Sequence, residues 1–369
     1  MVRRLGLLVL AVLLFSGLAF GVDPTVVTKI VRVGGTVPTD CDYTSLAAWE
    51  AGVKADLTEA TGSNTIQVAK CETTGGADVS AVTFSASWKT DATHYIQVWT
   101  DPTDTGTGGG GAGGTHRHDG KYNTAAYRIE ITSWTVCISC GSSGTANDIY
   151  IIGIQTKSTR TSGAGSALGI NWYGTAPGDR RFFQNIIVGV LSGTATGIGL
   201  QIIYGTCYVE NNIISGFAGG GASSGLTIGY SPTTGTHYIY NNTVVGCDIG
   251  YKRTYGTCTI KNCIACTCTD GYLGTWTTSA TNLSDINGDA PSEVAYGAAT
   301  FVGAADFHLG ATDTKAINLG TDLSAVFAVD VDNVARPTGA GTWDIGVDEY
   351  VAPPAAPSTR KHRFVQVIR

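Results

Sequence analysis

GINWYGTAPGDRRFFQNIIVGVLSGTAT (169–196), GIGLQIIYGTCYVENNIISGFAGGGASS (197–224), GLTIGYSPTTGTHYIYNNTVVGCDI (225–249) and GYKRTYGTCTIKNCIACTCTD (250–270) are successive copies of one unit. Each opens on a Gly beside an apolar residue, the lengths are 28, 28, 25 and 21 residues, and a decaying copy begins at Gly271. Several columns recur. Tyr173, Tyr204 and Tyr255 each precede Gly-Thr, and Tyr230 holds that place ahead of a short insertion. Asn185, Asn212 and Asn242 form a second column, filled by Cys263 in the last copy. Ile186, Ile213, Thr243 and Ile264 come next, then Gly189, Gly216 and Gly246 three residues later.

Short alternating strands bounded by Asn and Gly, repeated at this period, predict an all-β chain wound as a right-handed parallel β-helix. Each coil pairs its backbone with the coils about 4.8 Å above and below, so like columns stack as ladders. No coil buries its inner face alone. Inward Asn can satisfy the buried turn backbone from rung to rung, and Gly supplies the positive φ of the corners. The same register sets Cys247 beside Cys268 on adjacent coils, a candidate disulfide. It puts Cys207 and Cys258 two coils apart, too far to bond.

Composition agrees. With 50 Gly, one Met and 14% charged residues in 369, the chain is no helical bundle, and 43% hydrophobic residues exclude disorder. The formal net charge is −6, and about −12 once Arg3, Arg4, Arg360, Lys361, Arg363 and Arg369 are set aside. An acidic body argues against nucleic acid and against trapping polyanionic sugars.

Residues 1–21, with Arg3 and Arg4 ahead of an apolar run, read as a cleaved export signal, too short and interrupted for a membrane anchor. No other segment approaches a membrane span. The expected location is therefore extracellular or on the cell surface. All ten Cys follow residue 21, and disulfides are the expectation in an oxidising compartment. Cys41 and Cys71, flanking the first helical segment, are a second candidate pair. A zinc site would rest on Cys137 and Cys140, which have no partner pair nearby in sequence, or on the cluster Cys258, Cys263, Cys266 and Cys268, and is the lesser reading.

Around the repeats, residues 22–146 read as an N-terminal cap with early irregular coils, including the amphipathic stretch CDYTSLAAWEAGVKADL (41–57). Regular coils occupy 147–290, residues 291–350 finish the coils, and 351–369 form a Pro-Ala linker with a basic tail. DYTSLAAWEA (42–51), the coils, and DFHLGATDTKAINLG (306–320) followed by DVDNVARPTGAGTWDIGVDEY (330–350) resemble secreted bacterial right-handed β-helix proteins of the pectin-lyase-like kind. The resemblance implies that Asp306 to Tyr350 caps the β-helix. It does not imply one activity, because lyases, hydrolases and adhesins share the fold.

The repeats show no paired carboxylates. Glu210, Asp248 and Asp270 fall in different columns and read as isolated solvated groups. Lys252, Arg253 and Lys261 are the best basic cluster for an elimination reaction, with a solvated outer face as the plainer reading. His116 and His118 read as loop residues. Asp285, Asn287 and Asp289 resemble a calcium loop but place Gly at the fourth position, so no metal or cofactor is expected beyond a weakly supported calcium. The Tyr column reads as an inward corner ladder, with an outward sugar platform of Tyr173, Tyr204, Tyr230 and Tyr255 as the alternative. The reading favoured is a secreted, non-catalytic β-helix protein of a surface or extracellular matrix, contacting polysaccharide or like subunits. The alternative is a polysaccharide lyase or glycoside hydrolase.

Overall fold

The repeat unit folds as one coil of three strands: Ala167–Trp172, Asp179–Phe183 and Ile186–Leu191 for the first copy. In the computed structural model, which describes residues 23–85, 87–104, 116–133, 135–141, 148–163, 167–174, 178–230, 235–338 and 342–352, these coils stack into parallel sheets of nine, eight and seven strands. The fold is the expected right-handed parallel β-helix. Residues 1–21, read as an export signal, and the basic tail lie outside the described residues. No described helix is long and apolar enough to cross a membrane.

The register follows the columns read from the sequence. Ile186, Ile213, Thr243 and Ile264 are direct partners along the second sheet. Cys207 and Cys258 are both partners of His237, and so stand two rungs apart. The Asn column is a continuous buried ladder. Asn212 Oδ1 accepts the Asn185 amide and Asn185 Nδ2, both at 2.9 Å, and Asn242 Oδ1 does the same for Asn212. Asn212 Nδ2 donates to the carbonyls of Phe182 at 2.7 Å and Glu210 at 3.0 Å. Each side chain thus satisfies its own coil and the next. At the Cys263 rung the thiol reaches the Ile239 and Lys261 carbonyls instead.

One residue upstream runs a ladder that the sequence reading passed over. Gln184, Asn211, Asn241, Asn262 and Thr281 all have φ between 50° and 56°. Asn tolerates this left-handed conformation better than other residues with a Cβ. Among the corners assigned to Gly, Gly216 and Gly246 do have positive φ, and Thr267 takes the equivalent place one coil later.

At the N-terminal end, helix Leu46–Val53 is capped by Ser45 Oγ, which accepts the Ala48 amide at 3.1 Å. Leu46 and Trp49 enter the core, with Trp49 stacked on Trp88 at 5.7 Å. This closes the first coils, as expected. The C-terminal segment departs from expectation: residues 297–338 and 342–350 fold back along the flank of the coils. Asn211 Nδ2 donates to Val329 O, Asn241 Nδ2 to Asp344 O and Gly346 O, and Asn262 Nδ2 to Thr321 O. Phe307, Val331 and Val347 cover Ile186 and Ile213, outward residues of the second sheet. The physical reason is that this outer face is apolar and needs a cover.

The disulfide expectations are corrected. All ten Cys are free thiols and all are buried. Cys247 and Cys268 do adjoin, thiol to thiol, so the register holds without the bond. Cys71 is paired in register with Val31 and faces the core, whereas Cys41 lies on the side of the neighbouring Arg32. The pleat therefore separates Cys41 from Cys71. Burial pushes Cys137 up to about 11 and Cys207 and Cys263 up to about 12, which makes these three thiols inert packing groups.

Two outcomes follow from this packing. Asn212→Ala strands the Asn185 amide and two carbonyls, and should cost at least about 3 kcal/mol in urea unfolding, whereas Asn242→Cys, which copies the 263 rung, should cost clearly less. Thiol titration with Ellman's reagent should find none reactive in the native chain and ten after denaturation; eight would mean that Cys247 and Cys268 are bonded.

Candidate functional site

The outer face of the nine-stranded sheet carries a group of partly exposed aromatic rings. Strand alternation turns Phe182, Val209, Ile239 and Ile260 inward and sends their neighbours out. One outward row runs Tyr150, Arg181, Tyr208, Tyr238 and Thr259. Tyr208 and Tyr238 are stacked, ring centroids 5.0 Å apart and 15° between planes, and Tyr150 meets Tyr95 at 4.5 Å. The Arg181 guanidinium lies 5.6 Å from the Tyr208 ring centre. All these side chains are partly exposed.

The adjacent row runs Ile152, Phe183, Glu210, Tyr240 and Lys261. Here the returning C-terminal segment forms a wall: Leu323, Phe327 and Trp343 pack on Phe183 and Tyr240, with Phe327 edge-on to Phe183 at 6.1 Å. Glu210, read from sequence as a solvated group, is instead fully buried between them. Its carboxylate meets Arg181 Nε at 2.9 Å. Burial pushes the carboxyl up to about 7, against the pull of Arg181. Glu210 thus anchors Arg181 in the row above it, and a wholly covered carboxylate has no access to a substrate.

The three basic candidates do not converge. Lys252 pairs in register with Thr227 on the third sheet, Lys261 with Tyr240 on the first. Arg253 takes the rung position of the core residue Ile228, and its guanidinium is spent on the Gly256 carbonyl. The Tyr column lies at the corner between the third and first sheets and points outward: Tyr173, Tyr230 and Tyr255 are 38%, 64% and 43% exposed, and Tyr204 is partly exposed. An inward Tyr ladder exists in another column, where Tyr251 and Tyr272 stack at 4.9 Å in line with Leu226.

His116 and His118 lie in a loop, as expected, but both are buried. His116 Nδ1 accepts the Thr73 amide and His118 Nε2 contacts the Gln184 carbonyl at 2.8 Å, so this segment clamps the coils. The calcium-like string serves as turn pegs. Asp285 accepts the Thr267 amide and Asp289 accepts the Ser284 hydroxyl. Two other clusters bring potential metal ligands within 4.8 Å of one another: Glu72, Asp104 and His116, and His308, Asp332 and Asp348.

The buried Glu210 sets a pH dependence. Its folded value near 7 exceeds the ordinary 4.5, so the folded chain keeps a proton that the unfolded chain releases. The resulting stability is fully present below about pH 4.5 and is lost as pH rises through 7. Between pH 4.5 and 8, Glu210→Gln should therefore gain stability relative to the parent by up to about 3 kcal/mol; a gap in melting temperature that stays constant with pH would contradict this. Comparison with protein-family models, with curated proteins and with solved structures finds no match for the chain.

Proposed function

We infer that the protein is an exported, non-catalytic β-helix of a surface or matrix that holds a neutral polysaccharide along the outer face of its nine-stranded sheet. The observation that carries this reading is the stacked, partly exposed Tyr208 and Tyr238 pair on adjacent rungs. Rungs about 4.8 Å apart present rings in a line along the helix axis, matching an extended repeating chain. Because the two rings stack on each other, they offer a sugar their edges for apolar contact and their hydroxyls for hydrogen bonds. The wall of Leu323, Phe327 and Trp343 gives the shelf one closed side. Arg181, held by Glu210, supplies fixed donors beside the rings. The acidic body disfavours polyanionic sugars, hence the neutral chain. The export segment at 1–21 and the likeness to pectin-lyase-like β-helix proteins support the extracellular setting.

Affinity electrophoresis through a panel of neutral and acidic polysaccharides tests the reading. Tyr208→Ala and Tyr238→Ala should each weaken retention by about tenfold, some 1.4 kcal/mol, while Tyr255→Ala at the sheet corner should not. Loss that maps to Tyr230 and Tyr255 would move the site to the corner. Release of reducing sugar or of unsaturated uronate from any polymer would overturn the non-catalytic assignment.

A further inference from the structure

The two clusters of potential metal ligands differ in how their charge is already met. At Glu72, Asp104 and His116, two cations are in place: Arg32 bonds Glu72, and Lys70 reaches Glu72 at 3.3 Å and Asp104 as well. Its carboxylates are occupied. At His308, Asp332 and Asp348 the balance is different. Asp306, Asp330, Asp332 and Asp348 gather around one imidazole; Arg336 acts on Asp330 and Asp348, and Lys121 reaches only Asp306, at 3.6 Å, and the exposed Asp119.

The remaining bonds leave a defined set of free atoms. Asp330 is spent on the backbone: Oδ1 accepts the Asp332 and Val334 amides and Oδ2 accepts the Glu349 amide. Asp348 Oδ2 accepts the Leu309 amide at 2.7 Å, which fixes that carboxylate in place. Asp306 Oδ1 holds His308 Nδ1 at 2.5 Å. That turns Nε2 toward Asp332 Oδ2, 3.4 Å away. Asp332 Oδ1 is buried with no amide or hydroxyl donor among the described residues, and the Asp332 carboxyl lies against that of Asp330. Gly120, with φ of 76°, packs its backbone against this imidazole: a Cβ there would lie 2.3 Å from Nε2 and 2.7 Å from Cε1, so only glycine fits beside the ring.

We propose that His308 Nε2, Asp332 and Asp348 form a zinc site, with Asp306 as the carboxylate that orients the histidine. Imidazole with two carboxylate oxygens suits zinc, whose bonds to such atoms are about 2.0–2.2 Å. A carboxylate on the far ring nitrogen is the usual support for a metal-bound His. The three ligands come from three parts of the C-terminal segment: the hairpin strand Asp306–Leu309, the turn after Asp330, and the final stretch. The ion joins these parts where they lie against the coils, next to Phe307, Val331 and Val347 over Ile186 and Ile213. Its role is a clasp on the returning segment.

The test is zinc binding by the full chain, followed by dialysis and metal analysis, with cobalt as the visible-light probe of coordination. The expected result is one zinc per chain, a raised melting temperature with zinc, and a cobalt spectrum of imidazole and oxygen ligation. Asp306→Asn should weaken zinc binding by about 10- to 100-fold without unfolding the chain, and His308→Ala should abolish it. His116→Ala should leave it intact. Absence of stoichiometric zinc, binding insensitive to Asp306→Asn, or loss through His116→Ala instead would overturn the site. If His308→Ala does not fold, Asp306→Asn and the cobalt spectrum still decide the question.

Discussion

The buried ladder from Asn185 through Asn212 and Asn242 to Asn282 is the interaction on which the coils depend. A β-helix must turn its backbone inside the core at every corner, and each turn leaves amides and carbonyls that water cannot reach. A side-chain amide with one acceptor and two donors can serve the turn of its own coil and the amide of the next. The Asn212 side chain does this with five bonds. The corner is therefore satisfied only when neighbouring coils are present and in register, which makes the stack cooperative.

The residue before each ladder Asn has the opposite task. Asn211, Asn241 and Asn262 take left-handed backbone and point their amides outward, where the C-terminal segment accepts them. One Asn-Asn pair thus locks the coil inside and docks the return segment outside. That docking creates the wall beside Tyr208 and Tyr238, buries Glu210, and assembles His308, Asp332 and Asp348. The candidate sugar shelf and the candidate clasp are both consequences of how one segment is held to one corner.

Free thiols fit the same economy of columns. Cys207 and Cys258 flank His237 in one inward row, and Cys247 and Cys268 follow Phe217 in another. In these rows the thiol acts as a small apolar filler, and spacing between rungs decides which pairs touch.

Much of this was legible in the repeats. The period, the Asn column and the rung relation of Cys207 to Cys258 could be read directly, because a solenoid writes its neighbour contacts into sequence at a fixed interval. The direction of the Tyr column was not legible: Tyr173, Tyr230 and Tyr255 sit at a corner, where strand alternation no longer predicts which way a side chain faces. Glu210 and Arg181 come from different coils, and the cover over Glu210 comes from more than a hundred residues downstream. The sequence by itself determined the coil, its register and its inner ladders, since those are local and periodic. Only the tertiary structure decided where the aperiodic segment from 297 to 350 lies, and with it which outward residues are buried, paired or left open, since that depends on long-range docking with no repeat to announce it.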